Sequence, residues 1–391
     1  MFRQASLDLN EKLTKGTRQA EGIYFTPAAA RTRLFTILHE KAPHFTPSSV
    51  LEPSFGSGEF LLDLVERYPT IRITGVEKNN AAFLAAATAA AIRNRQNTTL
   101  RNADFLTYTA APVDFIVGNP PYFVTEAKNP DAFTGRGNIF ILFLYKCLTQ
   151  HLLPGGILAF ILPTSLYNSK YYAPTRSWIA ANTTILHCET LGDAEFFDTQ
   201  QQTTLFVCQK TPPPPTPPYI FRDAYITPHA AALSTLCAGA TTITALGCAV
   251  KTGDVVWNQH REKLRATQGE ATDVLVLYAN NIKDGELQIG DPGKGKGQYI
   301  RGFGRPAVVG PALLIARGYG NTTYALNFTR VPAGTTFYGE NHVNVVTGPA
   351  ASLEQIAASL EDARTASFIS MFVGNGALSK SELEDVLPVW I

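Results

Sequence analysis

A short apolar stretch, Ser49-Val50-Leu51-Glu52, runs into Pro53-Ser54-Phe55-Gly56-Ser57-Gly58 and then into residues 59–68, whose apolar side chains recur at helical spacing. Strand, two-glycine turn and amphipathic helix in that order form a βα unit, and the pattern continues downstream. Residues 71–76 read as a strand, 79–93 as an alanine-rich helix, 114–117 as a strand, 139–150 as a helix and 156–162 as a strand. Strands that are apolar along their whole length must be covered on both faces. The expected fold is therefore α/β, Rossmann-like, with a doubly wound, mostly parallel sheet. Ligands in such sheets bind at the carboxyl ends of the strands.

The pattern stops at Thr211-Pro212-Pro213-Pro214-Pro215-Thr216-Pro217-Pro218. Consecutive prolines favour an extended spacer and are excluded from helix interiors and central strands. The expected organisation is a first domain over 1–210, a linker over 211–218 and a second domain over 219–391. In the second domain, 274–278, 307–309 and 313–316 read as strands and 352–363 and 382–386 as helices, a mixed α+β pattern. A chain of 391 residues is of a length for two domains.

The glycine turn and its neighbours outline a ligand pocket. Gly56 and Gly58 let the backbone approach a ligand closely. The next strand ends at Glu77, where a carboxylate can accept hydrogen bonds from both hydroxyls of a ribose. Asp104-Phe105 follows the third strand, an acid for an adenine amino group beside a ring to pack on the base. A nicotinamide dinucleotide site wants a third glycine where Leu61 stands.

The fourth strand leads into Asn119-Pro120-Pro121-Tyr122. A residue before proline is pushed to extended geometry, which sets the direction of the Asn119 side chain and of the Pro120 carbonyl. Together they offer two acceptors to the two hydrogens of one amino group. An aromatic amine is a poor nucleophile because its lone pair is delocalised into the ring. Acceptors on both hydrogens favour a tetrahedral nitrogen with a localised pair, and Tyr122 would stack on the target ring.

These residues resemble the gamma group of amino-methyltransferases from restriction–modification systems, the Taq type. The likeness covers roughly residues 20–210, with Gly22-Ile23-Tyr24-Phe25-Thr26-Pro27 matching the group's N-terminal segment. The glycine turn reads Ser-Phe-Gly-Ser-Gly where the group more often has Ala-x-Gly-x-Gly. Locally, Thr26 is a candidate helix cap with Pro27 at the first helical position. The resemblance implies S-adenosyl-L-methionine as cofactor, with Thr26 on its methionine part. It also implies that Glu52, Pro53, Ser54 and Phe55, with Glu77, Asp104, Phe105 and Pro121, line the site. Asn119, Pro120 and Tyr122 would act on the N6 amino group of a flipped-out adenine in duplex DNA. From Glu195-Phe196-Phe197-Asp198 it implies an aromatic opposite Tyr122 on the flipped base. Spacing to the following strand favours Phe197 over Phe196. Val250–His260 resembles the recognition domains of Pst-type modification methylases.

Double-stranded DNA is the expected partner, and a companion endonuclease could share its site. The net charge of +1 does not announce a nucleic-acid binder. However, Lys294, Lys296, Arg301, Arg305, Arg317 and Arg330 fall in a stretch whose only acid is Asp291. Such a stretch is either a solvated loop or a grip on phosphates. Lys294, Lys296, Arg301, Arg305 and Arg317 are the candidate backbone contacts, with Asn258 and His260 as base readers. Two rivals use the same tetrapeptide: RNA adenine N6-methylation and methylation of a protein glutamine amide. Cytosine ring methylation needs a cysteine after a proline, and no cysteine here follows one. Asp114 with Glu126-x-Lys128 only loosely imitates a metal nuclease, and no metal site is expected. The five cysteines form no Cys-x-x-Cys pair and fit thiols in a reducing compartment. Without an apolar run of about 20 residues or a signal-peptide pattern, the expectation is a cytoplasmic monomer away from membranes.

Overall fold

The computed structural model describes residues 2–391 except 24, 94, 110, 193–201, 223, 294, 318–325 and 373–377. Two compact units divide the chain, Met1–Ala231 and Ala232–Ile391.

The first unit opens with three helices, α1 (Gln4–Lys12), α2 (Lys15–Glu21) and α3 (Ala28–Lys41). Then follow β1 (Ser49–Glu52), α4 (Glu59–Arg67), β2 (Arg72–Glu77), α5 (Asn80–Ala87), α6 (Ala90–Arg93), β3 (Thr98–Asn102) and β4 (Val113–Gly118). A small antiparallel pair, β5 (Val124–Thr125) and β6 (Gly137–Asn138), precedes α7 (Ile139–Lys146) and β7 (Leu152–Pro163). Helix α8 (Ala173–Asn182), β8 (Thr184–Thr190) and β9 (Thr203–Gln209) complete a seven-stranded sheet of order β3-β2-β1-β4-β7-β9-β8. All pairings from β3 to β7 are parallel, and β9 runs antiparallel to both β7 and β8. This is the Rossmann-like, doubly wound, mostly parallel sheet expected from the sequence.

Strand alternation builds the two faces. Val50, Phe115, Val117, Ala159 and Ile161 bury against Leu34, Ile37 and Leu38 of α3 and Phe60, Leu61 and Leu64 of α4. Leu51, Ile116, Leu158, Phe160 and Leu162 bury with Phe140, Ile141 and Leu144 of α7. Strand order reverses about β1, whose neighbours are β2 and β4, so the crevice at their carboxyl ends is the natural ligand position.

Two helices are shorter than the periodicity predicts. The 79–93 segment breaks at Thr88, whose hydroxyl donates back to Leu84 O at 2.8 Å and Ala85 O at 3.1 Å. The 139–150 segment widens into a π-helix over Cys147–His151 before β7.

The unit boundary also lies later than the prolines suggest. After Pro218 the chain forms the hairpin β10 (Ile220–Phe221) and β11 (Tyr225–Ile226) and packs on the first unit. Ile226 donates its N–H to Tyr167 O at 3.0 Å and is buried in the α7-side core. The Arg176 guanidinium lies 5.4 Å from the Tyr225 ring centroid. Apolar Ile220 and Ile226 thus keep the hairpin with the first unit, and the division falls within α9 (Ala230–Leu236).

Among the described residues, the second unit has a four-stranded and a five-stranded sheet. One is antiparallel, β12 (Ala249–Thr252), β22 (Val343–Thr347), β19 (Ala312–Ala316) and β20 (Phe328–Val331) in that spatial order. The other is mixed, β13 (Leu264–Arg265), β17 (Tyr299–Ile300), β14 (Val274–Leu277), β21 (Thr336–Gly339) and β18 (Val308–Val309). The pair β15 (Ile282–Lys283) and β16 (Glu286–Leu287) and the helices α10 (Ala350–Glu361), α11 (Ala363–Phe372) and α12 (Lys380–Asp385) complete it.

Candidate active site

A cavity of about 610 Å³ opens at the carboxyl ends of β1, β2 and β4. Its wall includes Thr26, the Glu52–Ser57 turn, Glu77, Asp104 and Phe105, with Asn119 and Pro121 from the tetrapeptide. The separate sequence segments predicted to share a ligand therefore do share one cavity. Gly58 stays outside the wall and serves the fold. It caps α4 at φ +87°, and a Cβ there would lie 2.9 Å from Ala86 Cβ.

The first turn positions the acids. Glu77 is buried, its Oε2 accepting from Gly56 N at 2.8 Å and its Oε1 from Asn79 N at 2.7 Å. Burial raises its carboxyl above the ordinary value, against the opposing pull of those backbone N–H groups. Asp104 accepts from Leu106 N at 2.9 Å and Lys78 Nζ at 3.0 Å. Burial alone would raise the Asp104 carboxyl, but Lys78 and the Leu106 N–H outweigh it and hold it below the usual range. Phe105 is buried, its ring 5.1 Å from Phe143. Lys146 fixes the turn after β3 by donating to Phe105 O, Leu106 O and Tyr108 O at 2.8, 2.9 and 2.7 Å.

Deeper in the wall, Glu52 is 1% exposed and its Oε2 has no hydrogen-bond partner among the described residues. Burial first, then Asp63 and Glu77, pushes its carboxyl well up. The Ser54 hydroxyl, also shielded, lacks a partner among the described residues as well. Around them, Arg31 Nε meets Asp63 Oδ2 at 2.6 Å and Arg31 Nη2 meets Glu59 Oε2 at 2.9 Å. Arg3 adds a bond to Asp63 Oδ1 at 2.7 Å, and Ser6 one to Glu59 Oε1 at 2.6 Å. The carboxyl groups of Glu52, Glu59, Asp63 and Glu77 thus face two guanidinium groups, a surplus that suits a cationic ligand. Unsatisfied buried acceptors, a two-point anchored Glu77 and an aromatic floor at Phe105 and Phe143 fit an adenosyl sulfonium amino acid.

Sequence reasoning missed Arg31, Glu59 and Asp63, along with Phe123, Ile139 and Phe143 of the cavity wall. The signal was present only as Glu59 and Asp63 at i and i+4 of α4, a spacing that usually marks a solvent face.

The tetrapeptide leaves β4 at the cavity rim. Asn119 is half-buried, and its Nδ2 donates to Thr26 Oγ1 at 3.1 Å. The Pro120 carbonyl has no donor among the described residues. Gly22, at φ +66°, lets the N-terminal segment pass close by, since a Cβ there would sit 2.7 Å from Pro121 Cβ and 2.9 Å from Tyr122 N.

Two expectations are corrected here. Tyr122 does not face the cavity. It is 7% exposed, its ring stands edge-on to Phe140 at 6.2 Å, and its hydroxyl lies between Ile161 O at 2.7 Å and Asn119 Oδ1. The core offers that ring an apolar pocket and two acceptors, which outcompete a solvent-facing pose. Thr26 does not cap α3. Pro27 occupies the cap position, and the Thr26 hydroxyl is instead engaged with Asn119 while its carbonyl accepts from Arg31 Nη1 at 2.5 Å. Phe196 and Phe197 lie outside the described residues.

Asp114 belongs to the fold. It accepts from Ser48 N and Oγ at 3.0 and 2.6 Å and from Ser49 N at 2.9 Å, at the amino end of β4, away from the cavity.

In the second unit the expected cations separate into two groups. Arg301 is paired with Asp273 at 2.7 Å and Glu270 at 2.5 Å, Arg305 with Asp254 at 2.9 Å. Arg317 donates to Asn341 O at 3.0 Å. Lys296 has no carboxylate partner among the described residues and lies 5.6 Å from the Trp257 ring and 5.0 Å from that of Tyr278. Asn258 is exposed on a 3-10 turn, and His260 rests edge-on against Phe303 at 5.2 Å. Lys294 lies outside the described residues.

Comparison with known proteins fits this geometry. Residues 63–197 match the model of the Eco57I restriction-modification methylase family. The type II methyltransferase M.CvrRI of Paramecium bursaria Chlorella virus XZ-6E is 31% identical, covering 100% of this chain and 99% of its own. Modification methylase CviBIII of Paramecium bursaria Chlorella virus NC1A is 32% identical over 98% of each. A tRNA1(Val) (adenine(37)-N6)-methyltransferase of Aeromonas hydrophila is 35% identical over 32% of this chain and 56% of its own. The acid-rich cavity with Glu77, Asp104 and Phe105 suits the S-adenosyl-L-methionine that the sequence resemblance implies. By its whole-length relatives, with the family match over residues 63–197, the chain belongs to the restriction–modification methyltransferases.

Proposed function

We propose that this protein is a gamma-class modification enzyme that methylates the N6 amino group of a flipped-out adenine in duplex DNA. The observation that carries the reading is Asn119, which directly follows β4 on the wall of the cavity. The cofactor supplies an electrophilic methyl group on a positively charged sulfur. Asn119 Oδ1 and the Pro120 carbonyl accept the two amino hydrogens, localise the nitrogen lone pair and aim it at that methyl group. With the cofactor bound, the nitrogen would take the methyl group from sulfur and release its surplus proton to solvent. Catalysis is positioning and electrostatics, with no covalent enzyme intermediate. On the cofactor side, Glu77 would receive the ribose hydroxyls and Asp104 the adenine amino group.

An adenine stacked in a duplex cannot enter the cavity, so it must be extruded, at about a few kcal/mol. A second unit that grips the duplex can offset that cost. The partial likeness to a tRNA adenine methyltransferase supports the same amine chemistry and keeps RNA as the second reading. Full-length likeness to type II methyltransferases favours DNA, because it includes the second unit.

The test uses tritiated cofactor with DNA, RNA and protein acceptors, followed by single-molecule mapping of modified bases. Label in adenines of duplex DNA is expected; label in RNA or glutamine alone would replace the reading. Asn119→Ala should abolish transfer and leave the cofactor dissociation constant within about twofold, since Asn119 addresses the target amine. Full activity in that variant would sink the mechanism.

A further inference from the structure

The Asn119 side chain can serve as an acceptor only in one of its two amide orientations. Turned by half a rotation about its last bond, it would offer two N–H donors to an amino group that has only hydrogens to give. Something must therefore choose the orientation before substrate arrives.

We propose that Thr26 is a positioning residue for Asn119, holding the carboxamide with Oδ1 free to meet the target amine. This rests on the adenine-amine reading above and deepens it. The Thr26 hydroxyl accepts from Asn119 Nδ2 at 3.1 Å across 93 positions of sequence, and Thr26 is 4% exposed, so water does not compete for the contact. Thr26 itself is fixed from behind. Its carbonyl accepts from Arg31 Nη1 at 2.5 Å, and Arg31, with a side chain 4% exposed, is locked by Asp63 Oδ2 at 2.6 Å and Glu59 Oε2 at 2.9 Å. The hydroxyl is free for this task because Pro27, not Thr26, caps α3. On the other side, Oδ1 faces the Tyr122 hydroxyl, whose single proton it shares with Ile161 O at 2.7 Å. A carbonyl oxygen carries two lone pairs, so this contact leaves one for the amine. The N-terminal segment thereby reaches across the cofactor cavity and sets the sign of the catalytic hydrogen bond.

The symmetry of a carboxylate supplies the test. Aspartate at position 119 presents an oxygen whichever way it turns and needs no orienting partner. In the wild-type background, Thr26→Val should lower kcat at saturating cofactor and DNA by roughly 10- to 100-fold, while Thr26→Ser restores it. In an Asn119→Asp background, whatever its own rate, adding Thr26→Val should change kcat by less than about twofold. An equal loss in both backgrounds would overturn the proposal, because Thr26 would then act through the cofactor or the fold. An undiminished kcat in Thr26→Val alone would overturn it too. Should Thr26→Val fail to fold, the wild-type protein still decides. With asparagine side chains labelled by nitrogen-15, the Asn119 Nδ2 hydrogens should exchange with water markedly more slowly than those of exposed Asn258, and equally fast exchange would refute the hydrogen bond. Failure of the adenine reading shows separately, as label that never enters adenine in the wild-type enzyme.

Discussion

Glu77 illustrates at the residue scale how a turn prepares a carboxylate for a ligand. Its oxygens are each pinned by one backbone N–H, from Gly56 at 2.8 Å and Asn79 at 2.7 Å, so the remaining lone pairs are aimed without side-chain freedom to lose. Burial lifts its carboxyl, and the ionised form is the better acceptor for hydroxyl groups. If Glu77 holds the ribose as proposed, protonation on acidification should weaken cofactor binding, setting in at higher pH than the ordinary glutamate value of about 4.3. Calorimetric dissociation constants between about pH 5 and 8 should rise toward the acid end. Glu77→Gln should bind more weakly throughout and show a shallower dependence, with the part due to buried Glu52 remaining. An identical pH profile in wild type and variant would remove Glu77 from the ribose role. These acids were legible in the sequence, because strand ends and a glycine turn are local features with local signals. The place of the Tyr122 ring was not, because a ring after two prolines can face a ligand or the core, and only the partners Phe140 and Ile161 decide.

Elements reveal what periodicity can and cannot say. The faces of β1, β4 and β7 and the apolar sides of α4 and α7 follow from alternation and helical spacing, and they place the cavity at the strand ends. The same periodicity misplaces Glu59 and Asp63. On α4 they read as a solvated stripe, yet both are buried against Arg31 of α3 and Arg3 before α1. Their partners lie 28 or more positions away, beyond any window that reads a helix face. Removing one partner from a buried ion cluster leaves charge uncompensated, at about 3–5 kcal/mol. Arg31→Met should lower the stability of the first unit by about that amount in urea unfolding. It should also lower kcat by releasing Thr26. A variant as stable as wild type would mean that Arg3 alone balances Glu59 and Asp63.

At the scale of the whole molecule, the sequence separates two jobs that the structure assigns to different chemistry. On the proposed duplex-DNA reading, a nearly neutral chain must concentrate its phosphate contacts, and the run from Lys294 to Arg330 is the visible candidate. Tertiary pairing edits that run. Arg301 holds Asp273 well below the usual carboxylate range, chiefly through their hydrogen bond, and is itself neutralised, as Arg305 is by Asp254. No sequence window shows that Arg301 meets an acid 28 residues earlier. Lys296 and Arg261 instead lie over the Trp257 ring at 5.6 and 4.9 Å, without a carboxylate partner among the described residues. An aromatic platform restricts such side chains without taking their charge, so phosphates can use it. Each phosphate contact contributes about 0.9 to the slope of log affinity against log salt. Lys296→Ala with Arg261→Ala should therefore flatten that slope by roughly 1.8 when duplex binding is followed by anisotropy across a salt series. Arg301→Ala should leave the slope in place and lower stability instead, because it strips Asp273 of its partner. The opposite pattern, a flattened slope for Arg301→Ala and none for the pair, would return the grip to the residues that charge counting alone selects.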